Sequence, residues 1–418
     1  MDSTREPIRE EPISNSRYSI FFPDIATGKH LTPPSVNTSE ATPDVAALVL
    51  VIVCGTAFAA AQGITYPLIA VMLERANVPV WIAGLNAGIY SLGLASTTLL
   101  IGHLSRVISA DFLIFIGLIG CACNLAVFDL TDTLWIWFFA RFALGCFANL
   151  MFIVSEAWLH LASSDKIRGR VSGFYCMGVS GGFAAGPLVV PFLGRSTAFL
   201  SLSIYVVLVA IAVLALSRRA RTKPEHVPAG AFFSFFRRAP FLILMVFTFS
   251  FSNVAAISTM PVYFMHEGYS DYFATFSVAV LATSMALSQP FVGVLLEKWS
   301  ASGVAITAAT VAGLSFLAIP LTNSPAIILI VLGVLGAACF SLNTCALTLL
   351  GQKFSGGELI AGTSAFALAY AAGSAGGSSL TGIGMEIAGT NAGPDSAGAI
   401  LLCLALVLAG TTFRTQGL

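Results

Sequence analysis

Apolar runs of about twenty residues recur from Val45 almost to the C-terminus. A helix of that length crosses roughly 30 Å of hydrocarbon. In lipid a chain must satisfy its own backbone hydrogen bonds, so repeated runs of this kind predict an all-helical bundle. Charge usage agrees: 57% of the residues are hydrophobic and only 10% charged, too few to cover the surface of a soluble 418-residue chain. The fold class expected is an all-α integral membrane protein.

Twelve spans are predicted: 45–73, 80–101, 112–128, 134–160, 171–192, 197–217, 240–264, 273–296, 303–321, 325–349, 359–387 and 397–412. They divide the chain into a tail (1–44), a first six-helix bundle (45–217), a central loop (218–239), a second bundle (240–412) and a short end (413–418). Even alternation puts both termini on one side. Arg5, Arg9, Arg17 and Lys29 lie in the tail, and Arg106, Lys166, Arg168 and Arg170 follow spans 2 and 4. Arg218, Arg219, Arg221, Lys223, Arg237, Arg238, Lys298, Lys353 and Arg414 complete that side, against only Arg75 and Arg195 in loops opposite. The positive-inside bias therefore predicts that both termini and the central loop are cytoplasmic.

The tail, rich in Pro, Ser, Thr and charge, reads as disordered, and no signal peptide is expected. All eight cysteines fall within predicted spans, where they read as small apolar packing residues rather than a disulfide framework. Five scattered histidines at no ligand spacing predict no metal site, and neither a cofactor nor nucleic acid is an expected partner.

The basic loop splits the spans six and six, and sliding one half along the other finds a common offset of 191 residues. It pairs Gly102-His-Leu104 with Gly293-Val-Leu295, Gly145 with Gly336, and Gln62 with Asn253. A duplicated six-helix unit predicts two pseudo-symmetric halves with a substrate site near the midplane between them.

From Val45 onward the sequence resembles the major facilitator superfamily. Gly102-His-Leu104-Ser-Arg106 keeps the Gly and Leu of the family's motif between spans 2 and 3 but has no Asp, whereas Gly293-Val-Leu295-Leu-Glu297-Lys298 retains the acid-base pair in the second half. Arg141 and Gly145 match the R-x-x-x-G of span 4, and Gly173, Gly182, Gly186 and Pro187 match the glycine-proline pattern of span 5. The resemblance implies gating roles for Arg106, Glu297 and Lys298, and the span 5 pattern is one enriched in antiporters. Small residues four apart allow close helix approach and a proline bends the helix, so span 5 is an expected hinge surface. Ser155-Glu156-Ala157-Trp158-Leu159, with Lys166-Ile-Arg168-Gly-Arg170 after it, resembles a branch of bacterial permeases that includes riboflavin importers.

Span 4 carries two charges, and an intramembrane charge needs a protein-lined or watery setting. Arg141, Gly145, Asn149, Phe152 and Glu156 fall within roughly 80° of arc on one helix face. Fifteen residues separate Arg141 from Glu156, about 22 Å of helix, so the two do not pair directly. Arg141 is expected to orient a polar substrate or bias a proton-accepting group, or alternatively to bond helix carbonyls. Glu156 is expected to gate by pairing with Arg106, or alternatively to be an interfacial glutamate near water.

The other polar groups within the spans are neutral: Gln62, Tyr66, Asn149, Asn253, Gln289 and Asn343. With Arg141 they form the expected substrate-binding set, suited to a neutral or weakly polar solute held by hydrogen bonds and aromatic contacts. The function expected is a monomeric secondary transporter of a small organic solute, with riboflavin uptake the leading candidate. Proton-coupled efflux of amphipathic compounds and a non-translocating receptor or sensor are the alternatives. An enzyme is not expected, because no clustered catalytic constellation is visible, and no phosphate-binding loop supports ATP drive.

Overall fold

The computed structural model describes residues 44–162, 168–189, 195–218, 232–354 and 356–416, and every regular element among them is helical. The first half comprises α1 (Val45–Arg75), α2 (Val80–Val107), α3 (Ala110–Leu130), α4 (Leu134–Ala162), α5 (Arg168–Val189) and α6 (Arg195–Ser217). A short α7 (Phe232–Arg238) precedes α8 (Pro240–Ser258), α9 (Met260–His266) and α10 (Asp271–Lys298). The chain continues through α11 (Ala301–Ala318), α12 (Pro325–Lys353), α13 (Gly356–Ala388) and α14 (Ala392–Gln416). Among the described residues, ten helices are long and apolar enough to cross a membrane. Helices α5 and α13, diluted in glycine and serine, complete the expected twelve.

Helix starts follow side-chain chemistry. Asp44 accepts a hydrogen bond from the Ala47 amide at 3.2 Å and caps α1, and Ser270 and Ser300 cap α10 and α11 in the same way. The seventh span was expected as one helix and is two. Pro261 has no N–H to offer the carbonyl one turn back, so the helix ends at Ser258 and restarts at Met260. A second proline, Pro320, follows α11 in a three-residue 3₁₀ turn.

The 191-residue repeat is present in the packing. In the first half α1 packs on α5, α2 on α4, and α3 on α4 and α6. In the second, α8 packs on α13, α10 on α12, and α11 on α12 and α14. The correspondence reaches single residues. A Cβ on Gly182 would collide with the Thr56 carbonyl, and one on Gly373 with the Phe247 carbonyl, both partners 191 residues on. Gly145 meets the Tyr90 carbonyl, and Gly336 meets that of Leu281, at the same offset. Helices held mainly by van der Waals packing approach this closely only where one contributes no side chain.

The span 5 glycines are therefore built into a helix crossing. Gly186 backs onto Gly63 and Ile64 of α1, and Pro187 is buried within α5. The surroundings of Gly173 lie outside the described residues.

The halves meet where α2 packs on α13 and α5 on α10. Gly84 and Gly88 of α2 face the α13 backbone and side chains at Ser378, Ala375 and Ser379. Deeper, Ser91 and Ser374 share a 2.6 Å hydrogen bond across the same seam. At the end of the bundle away from the start of α1, which we call the far end, Arg75 pairs with Asp271 and His266 lies 2.7 Å from Glu74. There Glu386 also accepts a bond from the Val80 amide at 3.2 Å. Both ion pairs that join the halves among the described residues are at this end.

In α7 Phe235 is buried, with ring centroids 4.9 Å from Phe354 and 6.5 Å from Phe366, and Arg238 pairs with Glu358 at the start of α13. The helix packs on α13 and α8 of the second bundle.

Candidate functional site

Between the halves lies a cavity of about 260 Å³. Its lining follows the internal repeat. Phe58 and Phe249, Gln62 and Asn253, Leu94 and Met285, Asn149 and Phe340, Phe152 and Asn343, and Val179 and Tyr370 all line it, each pair 191 residues apart. A pseudo-two-fold relation thus runs through the cavity, and at α4 and α12 it exchanges an amide for a phenyl ring. The two walls differ in chemistry although they share a backbone plan.

Among the described residues, no charged side chain lines this cavity. Its polar groups are amides and hydroxyls, and helix contacts position two of the amides. Gln62 donates to the Tyr90 hydroxyl at 3.0 Å. Asn149 spends both amide hydrogens on α2, reaching the Leu94 carbonyl at 2.7 Å and the Thr98 hydroxyl at 2.8 Å. Those bonds fix the side chain and leave its oxygen free. The buried Oδ1 of Asn253 has no hydrogen-bond partner. A buried acceptor left without a donor costs about 1–3 kcal/mol, which a ligand N–H or O–H would recover.

Aromatic rings make up much of the remaining wall. Phe58 and Phe152 stack with centroids 4.7 Å apart, and Phe249 contacts Phe340 at 5.7 Å and Tyr370 at 6.1 Å. A flat solute would meet ring faces from both halves.

Of the residues expected to bind substrate, Gln62, Asn149, Asn253 and Asn343 line the cavity. Gln289 lies elsewhere: it accepts from the Thr344 hydroxyl at 2.7 Å and ties α10 to α12. Tyr66 and Arg141 occupy a layer toward the far end. Arg141 is 1% exposed, with its guanidinium 4.8 Å from the Tyr66 ring centroid and 5.5 Å from that of Tyr90. Its Nε donates to Asn86 Oδ1 at 3.4 Å, and no carboxylate among the described residues pairs with it. A buried, uncompensated charge costs several kcal/mol, and two desolvated cation–π contacts of about 2 kcal/mol each offset only part of that.

The expected gating residues fall at the opposite end from the ion pairs. Arg106 is exposed in the last turn of α2, and Glu297 and Lys298 are exposed at the end of α10. The side chain of Glu156 lies outside the described residues, so its expected pairing with Arg106 does too.

Comparison with known proteins agrees with this arrangement. The model of the Major Facilitator Superfamily matches residues 51–378. The chain belongs to this superfamily. Among its curated relatives, an uncharacterised MFS-type transporter of Enterobacter sp. strain 638 is 26% identical over 347 residues, covering 81% of this chain and 89% of the relative. The MFS-type transporter YcaD of Escherichia coli O7:K1 is likewise 26% identical, covering 78% and 87%. Two solved structures share the major facilitator fold. One is the nucleoside transporter NupG, with a TM-score of 0.69 at 16% identity over 88% of this chain and 99% of that one. The other is a bacterial homolog of the human lysosomal transporter Spinster in an inward-facing, unoccupied conformation, with a TM-score of 0.68 at 16% identity over 88% and 96%. As a major facilitator protein the chain is a multi-pass membrane transporter of small molecules.

Five aromatic cavity residues, Phe58, Phe183, Phe249, Phe340 and Tyr370, escaped the sequence reading, which stopped at polar groups. Phe58 and Phe249 lie at the 191-residue offset already in hand. Applying it to every position of spans 1, 4, 7 and 10 would have picked out that pair beside Gln62 and Asn253.

Proposed function

We propose that this chain carries a small, uncharged organic solute with a flat ring system, by alternating access through the cavity between its halves, and that riboflavin is its substrate. The observation that carries this reading is the cavity lining: amides and aromatic rings from both halves, with no charged side chain among the described residues. An isoalloxazine ring offers faces for Phe58, Phe152, Phe249 and Phe340, and its imide N–H is a donor for Asn253 Oδ1. Its ribityl hydroxyls suit Gln62, Asn149 and Asn343. In this reading the positive-inside bias makes the far end extracellular. The ion pairs there then hold the outside closed, and the cavity opens toward the cytoplasm.

The structural likeness to a nucleoside transporter supports the same solute class, since a nucleoside is also an uncharged heteroaromatic ring with a hydroxylated chain or sugar. Efflux of amphipathic compounds is the second reading, favoured by the Gly182, Gly186 and Pro187 pattern and by the predominantly apolar cavity wall.

Labelled riboflavin uptake, in a bacterial strain that neither makes nor imports it, tests the proposal. Saturable uptake that unlabelled riboflavin competes is expected. A chain present in the membrane that supports no uptake, yet raises resistance to amphipathic drugs, would replace the first reading with the second.

A further inference from the structure

We infer that Arg141 and Asn86 form a buried site for a small monoanion, separate from the substrate cavity. Arg141 Nη1 and Asn86 Nδ2 are both fully buried donors without a hydrogen-bond partner. They belong to two side chains already joined to each other, since Arg141 Nε donates to Asn86 Oδ1. That bond fixes the amide so that its N–H₂ group is the part left over. The guanidinium keeps its charge in any protein setting, so deprotonation does not relieve the site. The rings of Tyr66 and Tyr90 cover the guanidinium but accept none of its remaining N–H groups in the plane. Two orphaned donors beside an unneutralised cation match the chemistry of a singly charged hydrogen-bond acceptor.

The site is set off from the cavity by one layer. Gln62 lines the cavity and donates to the Tyr90 hydroxyl, and the Tyr90 ring lies over Arg141. On the other side, α2 carries both Asn86 and Ser91, the latter bonded across the seam to Ser374 of α13. An anion here would complete the α2–α4 contact beside the seam that must open for the far end to admit solute. The inference is independent of which solute is carried.

Two sources would supply such an anion: chloride, or the carboxylate of an organic solute. Thermal unfolding of the purified chain in nanodiscs distinguishes them, with potassium chloride or potassium formate replacing potassium sulfate, whose anion is doubly charged, at constant ionic strength. A saturable rise in Tm of about 2 to 4 °C is expected. Response to chloride assigns a resident inorganic ion, and response to formate alone assigns a carboxylate. Asn86→Asp supplies the negative charge internally, so its Tm should no longer respond to either salt. Bromide diffraction from crystals of the unaltered chain provides a test free of folding effects, with an anomalous peak expected in contact with Arg141 Nη1. A Tm indifferent to both anions, an undiminished response in Asn86→Asp, or, where chloride raises the Tm, a bromide-soaked crystal with no peak at Arg141 would overturn the inference.

Discussion

Arg75, the last residue of α1, forms an ion pair with Asp271, the first residue of α10, and so fastens the two halves together at the far end of the bundle. Its neighbour Glu74 makes a second cross-half contact, to His266 at 2.7 Å. Arg75 is largely exposed, so this pair is worth no more than about 1 kcal/mol. That is enough to bias a two-state equilibrium several-fold without locking it.

Arg75→Glu should accordingly raise the population open at the far end by about two- to fivefold. Spin-label distances between the ends of α1 and α10 would report it. Adding Asp271→Arg to the same chain should restore the original distribution. A double variant as open as the single one would show that the pair does not hold this end.

Asn253→Ala should raise the KM for the transported solute by about three- to tenfold, with normal amounts of protein in the membrane. It removes a buried acceptor in the cavity wall that has no hydrogen-bond partner. Gln289→Ala is the comparison, because Gln289 contacts Thr344 and not the cavity. Equal KM changes in the two variants would argue against the cavity as the binding site.

Glycine positions that look alike in sequence should behave differently. Gly182→Ala pushes a methyl into the Thr56 carbonyl and should lower stability by about 1–3 kcal/mol. Gly181→Ala meets nothing within 4 Å and should be neutral, or stabilising by up to about 1 kcal/mol through helix propensity. Thermal unfolding in detergent separates them, and equal stabilities would refute the crossing of α1 and α5 at this residue.

Arg141→Lys should slow transport by about tenfold while leaving the amount in the membrane unchanged. An ammonium group cannot both lie flat on Tyr66 and reach Asn86, as the planar guanidinium does. Initial uptake rates with quantified membrane protein check this, and an unaltered rate would remove any transport role for Arg141.

Much of this fold was legible in sequence because lipid leaves a chain few options. Apolar length marked the spans, and the 191-residue offset foretold which helices would be partners, as Gly145 and Gly336 illustrate. The break at Thr259 was hidden because Pro261 stands inside an apolar run that hydropathy alone reads as continuous. The site was less legible, since an amide in a span serves equally well to bind solute or to brace helices. Gln289 and Asn149 look alike in sequence and each hydrogen-bonds a neighbouring helix, at Thr344 and Thr98, yet of the two only Asn149 lines the cavity. Asn86 and Tyr90 drew no notice because their partner, Arg141, lies more than fifty residues away in the chain.

Alternating access requires the far end to open in every transport cycle, and a reversible tether at one place tests that most directly. Glu74→Cys with His266→Cys, in a chain whose own cysteines are replaced, places two thiols where the halves now touch. A cleavable bifunctional thiol reagent should abolish solute uptake, and dithiothreitol should restore it. Uptake that continues at its full rate with the far end tethered would contradict transport through the cavity between the halves.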